Sequence, residues 1–297
     1  MKCLVTGGAG FIGSHVADIL CKEGAQVLIL DNLSTGNREN VNPKCEFYSA
    51  DITQYEQIEP LFKGVDFVFH LAALPRIQPS FEDPILHEQV NVIGAINCFL
   101  AAKKCGAKKF VLSSSSACYG NTNELPTTER APINCLSPYA LQKYSAEQYC
   151  LILGERFNVP VVALRYFNVY GSRSFNQENP FNAYTSVIGI FHNQKNRGEK
   201  LTITGDGEQQ RDFIHVYDVA NVNLKAALSD VKNDVFNIGC GKSYSVNDIA
   251  KLFMQEVVYS PERKGEARIT LADISKAKNI LKWQPSINLE QGLNFLD

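Results

Sequence analysis

Residues 2–31 read KCLVTGGAGFIGSHVADILCKEGAQVLILD, and this stretch decides the fold. The apolar run at 2–6 is typical of a short strand, and a glycine-rich turn follows it directly. Residues 14–20 then have the apolar spacing of a helix, and a second apolar run at 27–30 ends at Asp31. The order of strand, glycine turn, helix and strand predicts a βαβ unit at the start of the chain.

The glycines and the acid of this unit have separate tasks if it binds a dinucleotide. Gly7 permits a sharp turn, Gly10 lets the backbone approach a pyrophosphate, and Gly13 lets the helix pack closely on the strand. Free N–H groups at the start of the helix would face the phosphates. Asp31 would accept hydrogen bonds from the adenosine ribose and repel a 2′-phosphate. The pattern therefore predicts NAD rather than NADP, and the alternative is an ordinary glycine turn.

Composition narrows the class of protein. A chain of 297 residues, 45% of them apolar, predicts one or two domains, and a net charge of −2 gives no sign of a nucleic-acid or anionic-membrane partner. We expect no membrane span, because no apolar run looks long enough, and no signal peptide. The nine cysteines stand singly without a Cys-x-x-Cys pair, which indicates a cytoplasmic protein without disulfides or a metal site.

The first half of the chain alternates between predicted strands and helices. After a loop at 32–44, strands are predicted at 46–50, 66–73, 108–112 and 159–167, with helices at 84–104 and 136–157. This alternation predicts an α/β fold with a Rossmann-type, doubly wound parallel sheet. Ligands of such sheets bind at the carboxyl ends of the strands. Five residues at predicted strand ends could therefore share one site: Asp31, Asp51, Ala72, Ser115 and Asn168.

The second half is less regular and predicts a smaller, mixed α/β substrate domain. Strands are predicted at 200–204, 212–216 and 235–239. A loop is predicted at 171–181, and helices at 182–198, 217–228, 245–257 and 274–281. We place the domains at 1–168 and 169–297, with 212–239 partly returning to the first domain.

A tyrosine and a lysine four residues apart are the sharpest chemical signal. Tyr139 and Lys143 would share one face of the predicted helix at 136–157. A nearby ammonium lowers the pKa of a tyrosine, which makes a base that works near neutral pH. The serine run 113–116 could add a hydroxyl from the end of a strand. The alternatives are a surface pair and an ordinary polar loop.

Residues 6–15, TGGAGFIGSH, resemble the opening of extended short-chain dehydrogenases/reductases, in the branch of nucleotide-sugar epimerases and dehydratases. Further landmarks of that family follow in order: SPY at 137–139, LRYFNVYG at 164–171, GDG at 205–207, RDFIHV at 211–216 and ADISKA at 272–277. The resemblance covers nearly the whole chain. It implies bound NAD, a UDP-sugar substrate and a homodimer.

The resemblance also implies roles for individual residues. Its catalytic positions correspond to Ser115, with Ser114 as the neighbouring alternative, and to Tyr139 and Lys143. The residues implied to contact the cofactor are Gly7, Gly10, Phe11, Ile12, Gly13, Asp31, Asn32, Asp51, Ile52, Leu71, Ala72, Ala73, Asn91, Tyr139, Lys143 and Tyr166. Those implied to contact the sugar nucleotide are Ser115, Asn168, Arg211, Arg263, Glu266 and Thr270. Among these, Arg211 and Arg263 would hold the diphosphate, for which a guanidinium fork is suited.

Two positions decide between the reactions of the family. Dehydratases carry an Asp-Glu pair just after the catalytic hydroxyl, and decarboxylases carry a Glu there. Ser116 and Ala117 occupy these places and cannot act as acids or bases. The resemblance therefore implies a 4-epimerase that works through a 4-keto intermediate. The other possibilities are a UDP-glucuronate 4-epimerase, a nucleotide-sugar 4,6-dehydratase and a non-catalytic sensor of NAD and nucleotide sugar.

One further position bears on the sugar. In the family, a bulky tyrosine at the position of Thr270 goes with restriction to UDP-glucose, and a small residue goes with admission of an N-acetyl group. Thr270 is small. We therefore expect UDP-N-acetylglucosamine and UDP-N-acetylgalactosamine as substrates, with UDP-glucose and UDP-galactose as a second pair.

Overall fold

A parallel sheet of seven strands is the centre of the computed structural model, which describes residues 1–174 and 186–296. The strands of the protein are β1 (Lys2–Thr6), β2 (Gln26–Asp31), β3 (Glu46–Ser49), β4 (Phe67–His70), β5 (Lys109–Ser115), β6 (Val161–Tyr166), β7 (Asn168–Tyr170), β8 (Leu201–Thr204), β9 (Gln210–His215), β10 (Asp234–Ile238), β11 (Ser243–Ser245) and β12 (Val257–Ser260). The helices are α1 (Phe11–Lys22), α2 (Tyr55–Ile58), α3 (Ile77–Glu82), α4 (Pro84–Glu88), α5 (Gly94–Cys105), α6 (Pro138–Phe157), α7 (Val187–Asn196), α8 (Val216–Leu228), α9 (Val246–Phe253), α10 (Ser275–Ile280) and α11 (Leu289–Leu293). A π-helical turn, Gln89–Ile93, joins α4 to α5.

The sheet has the order β10-β6-β5-β4-β1-β2-β3, and every neighbouring pair is parallel. Its two faces carry separate apolar clusters, one beneath α1 and α8 and the other beneath α5 and α6. Strands covered on both faces are nearly continuous apolar runs, as the sequence around β1, β4 and β6 shows. The predicted doubly wound, Rossmann-type sheet is confirmed.

The rest of the chain forms two small sheets beside the carboxyl edge of the large one. β9 pairs with β7 in parallel and with β11 in antiparallel orientation, and β12 pairs with β8 in parallel. Helices α7 and α9 pack over these strands around a third apolar cluster. β10 joins the large sheet and α8 packs on α1. The boundary near residue 168 stays a prediction.

Several boundaries differ from the sequence-based expectation. The predicted helix at 245–257 ends at Phe253, because Met254 takes a left-handed conformation with φ 53° and β12 begins at Val257. The strand predicted at 108–112 extends to Ser115, so three of the four serines of the run 113–116 belong to β5. Part of the predicted loop at 171–181 and the start of the predicted helix at 182–198 lie outside the described residues.

The expectation that no apolar run is long enough to span a bilayer needs a correction. Within the part of the chain that the structure describes, the continuous helical stretch Pro84–Cys105 is long and apolar enough to cross a bilayer by length and composition alone. Half of it is buried inside the protein, where α5 packs on α6 and on the sheet. Core helices meet the same criterion, so the stretch is weak evidence for a span.

Candidate active site

A cavity of about 930 Å³ follows the carboxyl edge of the large sheet and continues between the sheet and the C-terminal segments. It contains nearly all residues that the sequence assigned to a site. Those lining it are Gly7, Gly10, Phe11, Ile12, Gly13, Asp31, Asn32, Asp51, Ile52, Leu71, Ala72, Ala73, Ser115, Tyr139, Lys143, Tyr166, Asn168, Arg211, Arg263, Glu266 and Thr270. Strand ends that lie far apart in sequence thus contribute to one cavity.

The glycine turn forms a cradle that side chains would fill. Gly7 has φ 70°, and a Cβ added to it would lie 2.6 Å from the backbone N of Ala72. A Cβ at Gly13 would lie 2.1 Å from the carbonyl oxygen of Gly7, so α1 packs directly on the turn. Gly10 is the N-cap of α1 and lines the cavity. The turn therefore fits a pyrophosphate at a helix N-terminus.

Acidic residues bound the cavity beside this turn. Asp31 accepts hydrogen bonds from the backbone N–H groups of Ala9 (3.0 Å) and Leu33 (2.8 Å), so it also fixes the shape of the turn. Burial raises the pKa of Asp31, and these two hydrogen bonds oppose the rise. Asn32 donates to Asp51 at 3.1 Å on the next strand end. Carboxylates at this edge fit an adenosine ribose, so the residues present suit NAD.

Tyr139, Lys143 and Ser115 meet at the middle of the cavity. Ser137 caps α6 by accepting from the N–H of Ala140 at 3.2 Å, which places Tyr139 in the first turn of the helix. The Ser115 side chain, at the end of β5, hydrogen-bonds to Tyr139. The hydroxyl of Ser80 accepts from the backbone N–H of Tyr139 at 3.1 Å. A hydroxyl pair beside a lysine can move a proton to or from a bound alcohol.

The electrostatics differ from the sequence-based expectation. The spacing predicted that Lys143 lowers the pKa of Tyr139, whereas burial raises the pKa of Tyr139 and the hydrogen bond from Ser115 opposes the rise. Burial also lowers the pKa of Lys143 to about 8. Both changes have the same cause, because a site removed from water disfavours the phenolate and the ammonium alike.

Asn168 and Thr270 are joined at the side of the cavity opposite the glycine turn. Asn168 Nδ2 donates to Thr270 Oγ1 at 3.1 Å and to the carbonyl oxygen of Asp212 at 3.0 Å. The N–H of Asp212 also donates to Thr270 Oγ1 at 3.2 Å. Thr270 was selected from the sequence only as a small residue. Its hydroxyl also ties β7 to β9.

Positively charged residues occupy the same part of the cavity. Arg211 lies 3.4 Å from Glu266 and its side chain is only 12% exposed, so it is not a solvated surface charge. Arg263 lines the cavity close enough to Arg76 that its charge, together with burial, lowers the pKa of Arg76. Arg76 was not among the residues predicted from the sequence. Its position just after the predicted strand end at Ala73 is the signal that could have found it.

Two predicted cofactor residues have other contacts. Asn91 does not line the cavity; it accepts from the N–H of Leu74 at 2.8 Å and donates to Gln142 at 3.2 Å. It therefore supports the cavity wall from behind, and its direct contact with the cofactor stays a prediction. The Tyr166 ring lines the cavity, but its hydroxyl pairs with Asn223 at 2.8 Å, and burial raises its pKa.

Among residues 1–174 and 186–296, no group of three or more His, Cys, Asp or Glu side chains could hold a metal ion.

Comparison with known proteins agrees with this geometry. The model of the NAD dependent epimerase/dehydratase family matches residues 3–239. The chain is 42% identical to a putative UDP-glucose 4-epimerase of Methanocaldococcus jannaschii, over 98% of this chain and 95% of that one.

Two solved structures are similar over nearly the full length. One is the UDP-glucose 4-epimerase of Thermotoga maritima with UDP-glucose, with a TM-score of 0.94, 40% identity, and coverage of 99% of this chain and 97% of that one. The other is the UDP-N-acetylglucosamine 4-epimerase of Methanobrevibacter ruminantium with UDP-N-acetylmuramic acid, with a TM-score of 0.91, 36% identity and the same coverage.

Proposed function

This chain belongs to the NAD-dependent epimerase/dehydratase family, and we propose that it inverts C4 of a UDP-sugar, with UDP-N-acetylglucosamine and UDP-N-acetylgalactosamine as its main pair. UDP-glucose and UDP-galactose form the second pair of substrates. The observation that carries the proposal is the meeting of Tyr139, Ser115 and Lys143 beside a glycine cradle in one cavity.

The cofactor and the side chains of the cavity have separate roles in the proposed reaction. Bound NAD supplies reversible hydride exchange with C4 of the sugar. Tyr139, in its phenolate form, takes the proton of the 4-hydroxyl and becomes the neutral phenol, and Ser115 holds the two oxygens in line. Arg211 and Arg263 hold the diphosphate, which leaves the sugar ring free to present its other face as a 4-keto intermediate. Tyr139 then returns the proton to the inverted alcohol.

The carboxylates of the cavity favour epimerisation over elimination or decarboxylation. Those of the described residues that line it are Asp31, Asp51, Glu82 and Glu266. Asp31 and Asp51 lie by the glycine turn, and Glu266 is paired with Arg211. The two positions after Ser115 carry Ser116 and Ala117. These two positions therefore supply neither an acid nor a base for removing water from C5 and C6.

A proton NMR time course of UDP-N-acetylglucosamine with purified protein and no added NAD tests the proposal. We expect UDP-N-acetylgalactosamine to appear, which requires 4-epimerisation with cofactor retained from expression. A 4-keto-6-deoxy product would replace the proposal with a dehydratase. If nothing changes, NAD is added, and UDP-glucose and UDP-glucuronate follow. Turnover of UDP-glucuronate alone would make the protein a uronate epimerase, and no turnover of any would favour the sensor.

Substitution at Thr270 tests the choice of sugar. Thr270→Tyr should abolish turnover of the N-acetylated pair by filling the space beside Asn168, while UDP-glucose is still converted. Thr270→Ser is the matched control, because it keeps both the small size and the hydroxyl that accepts from Asn168. Equal turnover of both pairs by Thr270→Tyr would show that this residue does not gate the pocket.

The proposal also includes a homodimer and a cytoplasmic location. The exposed apolar side chains of α4 and α6 support a homodimer. All nine cysteines are free thiols, which supports a cytoplasmic location.

A further inference from the structure

Glu147 extends the catalytic face of α6 by one more turn. Tyr139, Lys143 and Glu147 are spaced four residues apart, so they lie above one another on the helix. Glu147 has no exposed surface, and it takes no part in the chemistry proposed above. A buried carboxylate needs partners, because an unpaired charge away from water is costly.

The partners of Glu147 come from the two strands that end at the catalytic site. Arg165 of β6 donates to both carboxylate oxygens, from Nε at 2.9 Å and from Nη2 at 2.5 Å. Ser114 of β5 donates to Oε2 at 2.7 Å. Ser114 and Arg165 are paired in the sheet register, one position before Ser115 and Tyr166. Glu147 thus ties α6 to the strand ends that carry Ser115 and Tyr166.

The same hydrogen bonds continue away from the helix. Arg165 Nη1 donates to the hydroxyl of Tyr119 at 2.7 Å, and this hydroxyl donates to Asn237 Oδ1 at 2.7 Å. Asn237 Nδ2 donates to the carbonyl oxygen of Thr127 at 2.9 Å. Tyr119, Arg165 and Asn237 are buried, so water does not compete for these bonds.

Thr127 brings the chain of bonds to the sugar end of the cavity. Its N–H donates to the carbonyl oxygen of Leu271 at 2.7 Å, and its carbonyl oxygen accepts from Asp273 N at 2.9 Å. Leu271 follows Thr270, whose hydroxyl accepts from Asn168. An uninterrupted buried path therefore runs from the helix of Tyr139 to the segment of Thr270.

We propose that the buried series Glu147–Arg165–Tyr119–Asn237–Thr127 is a positioning network that holds the proton-transfer residues and the sugar-binding segment 270–273 in register. The proposal rests on the proposed function, because it assigns these residues to the alignment of that substrate. Catalysis by positioned groups is sensitive to small displacements, since the reacting atoms must stay within hydrogen-bonding distance. None of the five residues is a catalytic residue; each acts through Ser115, Tyr139 or Thr270.

Two mild substitutions leave the Glu147–Arg165 ion pair in place: one removes a hydrogen bond to Glu147, and the other interrupts the middle of the network. Ser114→Ala removes the tie between β5 and α6. We expect kcat to fall about 10-fold with little change in KM, because the alignment of Ser115 with Tyr139 loosens. The pH dependence of kcat should also move to higher pH, since the Ser115 hydrogen bond is what opposes the raised pKa of Tyr139.

Tyr119→Phe interrupts the path to Thr127. We expect KM for the UDP-sugar to rise about 5-fold with kcat nearly unchanged, because the segment 270–273 loses support in the bound state. Ser114→Thr, which keeps a hydroxyl, should restore kcat. Ser229→Ala and Tyr259→Phe are controls, because they remove two and one side-chain hydrogen bonds, respectively, at positions that do not line the cavity.

The outcomes separate this proposal from the proposed function. If the wild-type holoenzyme converts UDP-sugars and both variants keep its kcat, KM and pH profile while melting earlier, the network is only structural and the proposal is overturned. The proposal is also overturned if kcat falls and KM rises in both variants by the same factors as in the controls. A wild type that converts no UDP-sugar overturns the proposed function, and the positioning role falls with it.

Discussion

Tyr139 and Lys143 lie in the same buried surroundings, but their ionised forms have opposite charges. Burial raises the pKa of Tyr139 and lowers the pKa of Lys143 to about 8, because both charged forms are disfavoured away from water. The hydroxyl of Ser115 is the interaction with the phenol that acts the other way. The proton-transfer step is therefore most sensitive to changes at these three positions.

Removing the phenol hydroxyl should stop the reaction and leave binding intact. We expect Tyr139→Phe to lower kcat by about 10³-fold, within the usual contribution of a positioned acid or base, and to change the Kd for a UDP-sugar by less than about 2-fold. NMR turnover and calorimetric titration measure the two effects. Tyr259→Phe, on an exposed strand, is the control. Unchanged turnover by Tyr139→Phe would remove this residue from the mechanism.

The buried lysine should make stability depend on pH. Burial lowers the pKa of Lys143 in the folded protein to about 8 from 10.5, so the unfolded chain holds more protons between these values. The free energy of unfolding therefore rises with pH in this window, and the cost of burying the ammonium is fully present below pH 8. One pKa unit corresponds to about 1.4 kcal/mol. The free energy of unfolding of wild type should therefore rise by about 2.5 kcal/mol relative to that of Lys143→Met between pH 7 and pH 10.

Denaturant unfolding at several pH values measures this difference. Other titrating groups cancel in the comparison, and Lys44→Met at an exposed position is the control for loss of a lysine. Parallel pH dependence of wild type and Lys143→Met would mean that Lys143 keeps its ordinary pKa when folded.

Single residues were predictable where a motif places them at the end of a strand. Ser115 and Asn168 lie in the cavity because each follows a strand whose apolar run is visible in the sequence. The hydroxyl of Thr270 was missed as a hydrogen-bond acceptor, because its partner Asn168 is 102 residues away. The hydrogen bonds of Asn91 were missed for a similar reason: no local pattern shows that its amide turns toward Leu74.

At the scale of elements, the glycine turn is a tight junction between β1 and α1. Gly13→Ala would place a methyl group 2.1 Å from the carbonyl oxygen of Gly7, which forces α1 away from β1. We expect the affinity for NAD to fall at least about 10-fold and the protein to lose more than about 2 kcal/mol of stability. Gly64→Ala is the control, because its φ of 72° makes it strained while nothing lies near the added methyl group.

Cofactor titration and denaturant unfolding separate the two effects. The control should lose about 1 kcal/mol of stability through its backbone alone and keep its affinity for NAD. Equal loss of NAD affinity in both variants would mean that the close packing of α1 does not shape the cofactor site.

Elements were predictable where their own residues determine them. The long apolar runs of β1, β4 and β6 and the helix α6 with its Ser137 cap are visible from local sequence. The short strands β7, β11 and β12 were not predicted, because three or four residues become a strand only when a distant partner supplies the hydrogen bonds. Their pairing depends on the assembled fold rather than on propensity.

At the scale of the whole molecule, the two sides of the cavity meet through a small contact. Gln78 of α3 donates to the carbonyl oxygen of Lys264 at 2.8 Å, and Gly265 packs against Phe81. This contact brings Arg76 toward Arg263, so two positive charges face the same space from different parts of the chain. An anionic diphosphate between them would relieve the repulsion.

The outer face of α4 and α6 is where we expect a second copy of the chain to bind. Leu141, Tyr149 and Ile152 lie along one side of α6, with exposures of 55%, 51% and 65%, and Ile85 of α4 is 71% exposed. Adjacent exposed apolar side chains on two packed helices are typical of an interface. A second copy bound there would also cover the exposed part of the apolar stretch Pro84–Cys105. We therefore expect a dimer by light scattering at micromolar concentration.

A charge in the centre of this face should separate the subunits. Ile152→Glu would bury a carboxylate without a partner in the interface, which costs several kcal/mol and should yield a folded monomer by light scattering and circular dichroism. Met254→Glu, at a position that is 90% exposed beyond α9, is the control and should remain dimeric. A monomeric wild type that sediments with lipid vesicles would assign the face to a membrane surface. A monomeric wild type that does not bind vesicles would mean that these side chains are ordinary exposed surface. A stable dimer would persist at the protein concentration of the assay.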